Sequence, residues 1–200
     1  MRQLMSGKEA TVYVVRCGDD IRCAKVYKEA TQRSFHQAVA YQEGRRVKKI
    51  AGRRGPWKKG TRYGRKMAEE VWQNAEVDAL YRLAAAGVRV PRPYICFEGV
   101  LLMELVTDAD GNAAPRLNDV ALSRELALEF HAMLLQQVVL MLCAGVIHGD
   151  LSEYNILVDA HGPVIIDLPQ AIDAAGSSVA ASMLERDVTN LANFFRHLCA

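Results

Sequence analysis

Two hundred residues, 50% apolar and 24% charged, are enough for one well-buried domain or a small two-lobed unit. The apolar run from Val138 to Val146 is broken by Cys143, Ala144 and Gly145 and is too short to cross a bilayer, and Met1 to Ser6 lacks the apolar stretch of a signal peptide. Five scattered cysteines with no CxxC pair argue against a disulfide framework or a zinc site, so a reduced, cytoplasmic protein without a membrane partner is expected.

In chain order, Ser6-Gly7-Lys8-Glu9 comes first. It is a small polar turn, either ordinary or one whose backbone N–H groups approach phosphate. Residues Glu9 to Val15 and Ile21 to Tyr27 are expected as β-strands, with Cys17-Gly18-Asp19-Asp20 as the turn between them. Lys25 lies inside the second strand, on the face shared with Cys23 and Tyr27. It is either an edge lysine reaching water or a buried cation that requires an anion.

The net charge of +2 conceals an asymmetry. Between Gly44 and Ala68 stand eleven basic residues and no acid, with Trp57 and Tyr63 near the centre, while the rest of the chain is acidic overall. The strip has no apolar periodicity. It is either a solvated loop or a surface for RNA or the ribosome, its cations neutralising phosphates and its rings stacking on bases.

Met67 to Ala86 is expected as a helix with Val71, Trp72, Ala75, Ala79, Leu80 and Leu83 on one face, stopped by Gly87 and kept from continuing by Pro91 and Pro93. Glu76 borders that face, either solvated or as the partner of Lys25. Val100 to Val106 is expected as a buried strand leading into a polar connector at Asp108 to Asn112, where a hinge would fall. The segment at Met103 is either a plain core strand or one whose free backbone groups just beyond would bond an adenine edge. A further helix is expected from near Asn118 or Ser123 to Gly145, with His131 structural, and a closing helix from Leu184 to Leu198. Asp187 is either a dipole partner at the start of that last helix or a buried brace.

Between these helices lies the densest polar stretch, His148-Gly149-Asp150-Leu151-Ser152-Glu153-Tyr154-Asn155. Two short strands follow, Ile156 to Val158 and Val164 to Ile166, and then Asp167. A hairpin turn at Asp159 to Gly162 would return Asp167 beside Asp150 and Asn155. Two carboxylates and an amide so gathered suit phosphoryl transfer, one carboxylate orienting a hydroxyl or water while the amide and the other carboxylate hold Mg²⁺.

Together, Ser6-Gly7-Lys8-Glu9-Ala10, Ala24-Lys25-Val26-Tyr27-Lys28, Trp72 to Glu76, the His148 to Asn155 loop and Ile166-Asp167-Leu168-Pro169-Gln170 resemble the RIO family of atypical serine/threonine protein kinases over nearly the whole chain. The resemblance implies an α+β, reduced bilobal protein-kinase-like fold. A β-rich N-lobe would span about 1–104 with the basic loop 44–68, a hinge about 104–112, and a mainly helical C-lobe about 113–200. It implies ATP and Mg²⁺, with Mn²⁺ as an alternative ion, autophosphorylation and ATPase activity. By that resemblance Lys25 contacts the phosphates and pairs with Glu76, and Asp150 is the catalytic aspartate. Asn155 and Asp167 hold the metal, with Asp167 also a candidate phosphate acceptor. Ser6 and Lys8 belong to the phosphate loop, Met103, Glu104 and Leu105 to the hinge, and Ile156 to the nucleotide site. Asp187 matches the structural aspartate that braces the loop. No Ala-Pro-Glu segment follows Asp167, so the usual peptide-docking groove is not expected, and the protein substrate stays open. Two competing functions remain: a small-molecule phosphotransferase of the aminoglycoside or choline kind, favoured by the His-Gly-Asp-Leu loop, and an ATP-switched RNA- or ribosome-binding factor.

Overall fold

Period-two alternation near the N-terminus builds an antiparallel sheet, and two later strands complete it on the side away from the first strand. The computed structural model describes residues 1–7, 9–28 and 75–199. Lys8, the basic strip, Val71 and Trp72 lie outside the described residues. Strands β1 (Arg2–Ser6), β2 (Ala10–Cys17) and β3 (Asp20–Tyr27) form a meander. Gly18, at φ +65°, supplies the left-handed residue of the β2–β3 turn. Strands β4 (Pro93–Phe97) and β5 (Val100–Glu104) then complete the order β1-β2-β3-β5-β4. The register places Lys25 between Val12 and Leu101, in the central strand. The β2, β3 and β5 strands are those expected. β1 and β4 were not, and both are edges whose outward positions are largely exposed. The β4–β5 hairpin turns through Glu98 (φ +46°) and Gly99 (φ +74°), a left-handed pair without the usual Asn-Gly or Asp-Gly signature.

The described part of helix α1 runs over residues 75–85. Val88 N donates to Leu83 O at 3.0 Å and Gly87 N to Ala84 O at 3.2 Å around Gly87 at φ +78°, the bonding pattern of a glycine-terminated helix. Val77, Ala79, Leu80 and Leu83 are buried. So is Glu76, which is 3% exposed and therefore sits within the buried face instead of at its border.

Helix α2 (Arg124–Cys143) starts at Ser123, whose hydroxyl accepts from Leu126 N at 3.2 Å, and not near Asn118, where a single 3₁₀ turn (Leu117–Asp119) forms instead. Helix α3 (Ala180–Cys199) begins four residues earlier than expected and packs on α2, with His131 stacked 5.2 Å from Phe195. Between them lie β6 (Val146–Ile147), β7 (Ile156–Asp159), β8 (Gly162–Ile165) and β9 (Ile172–Asp173), with β6 paired to β9 and β7 to β8. Helix α2 is long and apolar enough to cross a membrane, because it extends well before Val138. Its stripe of Ala127, Phe130, Leu134, Val138 and Met141 is nevertheless buried in the core beside Leu191 and Phe195.

Candidate active site

The loop from His148 to Asn155 is held from beneath by α3. Asp187, 2% exposed, accepts Gly149 N at 2.8 Å on Oδ2 and Leu151 N at 3.0 Å on Oδ1. Its position eight residues into α3 decides between the two readings of Asp187: it is the buried brace and not a partner of the helix dipole. Burial pushes its carboxyl above the usual carboxylate range, against the opposing pull of the two backbone N–H bonds. Asn190 Nδ2 donates to Leu151 O at 3.1 Å, and Arg186 donates to Gly149 O. These two α3 residues escaped the sequence reading. The signal that could have found them is their spacing, one before and three after Asp187, on or beside one helix face.

His148 is 1% exposed. Its Nδ1 accepts Asp150 N at 3.3 Å, so Nε2 carries the hydrogen that it donates to Ile166 O at 3.0 Å. The ring therefore joins the His148–Asn155 loop to the residue before Asp167. Gly149 stands at φ +81°, and a Cβ there would lie 2.5 Å from Met183 Cε and 2.7 Å from Gln170 O. Gly149→Ala should therefore cost about 2 kcal/mol or more, read as a lowered thermal midpoint in calorimetry. An unchanged midpoint would contradict this packing.

The polar groups converge above this brace. Asp150 is exposed at the crest of the loop. Asn155 Nδ2 donates to Asp150 O at 2.8 Å, which leaves its Oδ1 as the acceptor to offer a metal. Ile166 N donates to Asn155 O at 3.0 Å, so Ile166 is fixed at both its N–H and its C=O. The next residue, Asp167, takes the left-handed φ of +64°, tolerable for aspartate, and this turns its carboxylate toward the sheet.

Lys25 meets it there. Nζ lies 2.5 Å from Glu76 Oε1 and 2.8 Å from Asp167 Oδ1, bringing β3, α1 and the end of the β7–β8 hairpin onto one cation. Burial by itself would lower the Lys25 ammonium, but the two carboxylates hold it well above its usual range. Burial would raise the Asp167 carboxyl, and Lys25 outweighs this to keep it below the usual range and ionised. The Tyr27 phenol, on the same face of β3, is pushed up by burial and then by Glu76. Leu80, Pro91, Leu101, Met103, Ile166 and Leu168 complete an apolar cleft around the three charged groups.

Of the remaining predicted site residues, Met103 lines this cleft. Glu104 closes β5, its N–H donating to Arg92 O at 2.8 Å and its carboxylate accepting Arg92 N at 3.1 Å, so Leu105 is the first residue beyond the ladder. Ser6 ends β1 at the turn into β2, where Lys28 Nζ donates to Ser6 Oγ at 3.1 Å and Gly7 O at 2.6 Å. Ile156 is not brought to the cleft. It is fully buried in β7, and Ile166 and Leu168 line the cleft floor.

A family model described as RIO domain matches residues 11–200. The chain belongs to the RIO family. The RIO-type serine/threonine-protein kinase Rio1 of Haloferax volcanii is 34% identical over 200 residues, covering 96% of this chain and 62% of that protein. The serine/threonine-protein kinase rio1 of Schizosaccharomyces pombe is 30% identical over 98% of this chain and 38% of its own length. The chain thus spans less than two thirds of these relatives. The crystal structure of the Rio2 kinase-ADP/Mg²⁺-phosphoaspartate complex from Chaetomium thermophilum superposes with a TM-score of 0.64 at 22% identity, over 98% of this chain and 54% of that one. The α+β kinase-like fold of this RIO domain is accordingly that of its structural neighbours.

The donor set fits a hard divalent cation. Asn155 would offer an amide oxygen and Asp167 a carboxylate whose side chain is 48% exposed. Among the described residues no group of three or more His, Cys, Asp or Glu gathers into a metal site. An amide oxygen with the Asp167 oxygen not bonded to Lys25 suits Mg²⁺, which keeps several waters and binds through few protein ligands.

Proposed function

We propose that this RIO domain is an ATP- and Mg²⁺-dependent serine/threonine protein kinase with an accompanying ATPase activity, acting in the cytoplasm. The observation that carries the reading is Lys25 bridging Glu76 and Asp167 in the apolar cleft, with Asp167 next to Ile166, whose N–H donates to Asn155 O of the braced loop. Lys25 neutralises and orients the nucleotide phosphates, and Glu76 holds its ammonium in place. Met103, Leu101 and Ile166 would hold the base and the backbone of Glu104 and Leu105 would bond its edge, while Ser6 and Lys8 would serve the phosphates. Asp150, exposed at the loop crest, accepts the proton of the attacking hydroxyl. Asn155 and Asp167 would hold Mg²⁺, or Mn²⁺ in its place, which would supply neutralising charge to the phosphates. The outward oxygen of Asp167 supports a second role, as acceptor of the γ-phosphoryl group. An acyl phosphate would form as ADP leaves, and water would then release inorganic phosphate.

The acceptor class separates this reading from a small-molecule phosphotransferase. Turnover on a panel of basic protein acceptors should exceed that on aminoglycosides, choline and sugars, and the reverse order would overturn the protein-kinase reading. The composition of the basic strip supports RNA or ribosome contact. RNA binding should be salt-sensitive and should fall when Arg53, Arg54, Lys58 and Lys59 are neutralised, and binding indifferent to those changes would remove that partner.

A further inference from the structure

Glu76 and Asp167 must keep a fixed separation for one lysine to bridge them, yet they stand on elements far apart in sequence. The connection between those elements is built around Arg89, just past α1. Its guanidinium grips the turn of the β7–β8 hairpin with Nη2 at 2.7 and 2.8 Å from the two oxygens of Asp159, and its Nε donates to Pro163 O at 3.0 Å. Its backbone is committed as well. The N–H donates to the buried Gln137 Oε1 on α2 at 2.7 Å, and the carbonyl accepts Ile165 N on β8 at 2.8 Å. That hairpin carries Asn155 immediately before it and Asp167 two residues after it. A second contact lies along α1, where Arg82 Nη2 donates to Ala144 O at 2.6 Å at the end of α2. A Cβ on Gly145 would come within 2.9 Å of the same nitrogen. The sheet meets α1 through Lys25 on Glu76 and through Ala10, Tyr27 and Leu101, which share one buried cluster with Val77, Leu80 and Leu83.

We propose that Arg89 is a positioning residue for the phosphate site. It ties α1 to the β7–β8 hairpin, so that Glu76, Asn155 and Asp167 hold the geometry in which Lys25 bridges the two carboxylates. This rests on reading Lys25 and Asp167 as the phosphate site.

The test uses the full chain with Arg89→Ala, Arg89→Lys and Asp159→Asn. Acylation of Lys25 by an amine-reactive reagent, located by mass spectrometry, reads the ion pair directly. Mg²⁺–ATP affinity reads its consequence, and amide exchange around Leu191 in α3 reports global unfolding. Arg89→Ala should speed Lys25 labelling and weaken Mg²⁺–ATP each by about tenfold with α3 exchange unchanged, with Asp159→Asn and Arg89→Lys falling between it and the unaltered chain. Labelling and affinity equal to those of the unaltered chain would overturn the proposal, as would labelling that rises only in step with α3 exchange. Absence of ATP turnover in the unaltered chain would sink the proposed function, while Lys25 labelling would still decide the coupling.

Discussion

Asp150→Ala is expected to reduce phosphoryl transfer by at least about a thousandfold, equivalent to ~4 kcal/mol in barrier, while leaving the fold intact. The side chain is exposed at the loop crest, whereas the bonds that shape the loop run through backbone groups of Gly149, Asp150 and Leu151 to Asp187 and His148. Removing the carboxylate therefore takes away the proton acceptor without disturbing its support. Single-turnover transfer from labelled ATP, read beside a thermal melt, checks both halves. A loss under tenfold would mean that the attacking hydroxyl needs no base at this position.

Lys25→Met should damage both stability and chemistry. It strands Glu76, which is 3% exposed, without its 2.5 Å partner. Removing one member of a buried pair costs about 3–5 kcal/mol, a lowering of the thermal midpoint on the order of 10 °C for a domain of this size. Adding Glu76→Gln removes the stranded charge and should restore at least about half of the lost stability without restoring activity. Stability and phosphate anchoring would then be shown as separate consequences of one ion pair. The pair also carries a pH signature. Lys25 holds the folded Asp167 carboxyl below its ordinary value, so this stabilisation is present above about pH 4 and is lost as pH falls through the lower folded value. The unaltered chain should lose more stability between about pH 5 and 3 than Lys25→Met does, measured by denaturant unfolding. Parallel curves would contradict the contribution assigned to Asp167.

The parts of the site legible in the sequence were those whose chemistry is expensive to misplace. A lysine in the apolar run Cys23 to Tyr27 needs an anion, and the carboxylates at Glu76 and Asp167 both supply one. The turn between Val158 and Val164 predicted the hairpin that brings Asp167 back beside Asn155. What stayed hidden was set by tertiary geometry. The left-handed backbone of Asp167 follows from Ile166 being pinned at both ends, and no local pattern encodes it. Strands β1 and β4 are edges with largely exposed side chains, so neither showed a clean two-residue alternation. Glu76 was read as bordering its helix face because its neighbours on the sheet were unknown, and Ile156 was placed near the nucleotide although its side chain points into the core. Arg89 reads as an ordinary surface cation until Asp159 and Pro163 are seen against it.

The most direct test of the account is transfer and release of the γ-phosphoryl group of labelled ATP by the purified full chain with Mg²⁺. The same assay is run on the Asp150→Ala, Asp167→Ala double variant. Autophosphorylation, transfer to a protein acceptor or phosphate release well above the double variant, and abolished by chelating the metal, is the predicted result. Equal signals from the two proteins, or turnover indifferent to the metal, would contradict it.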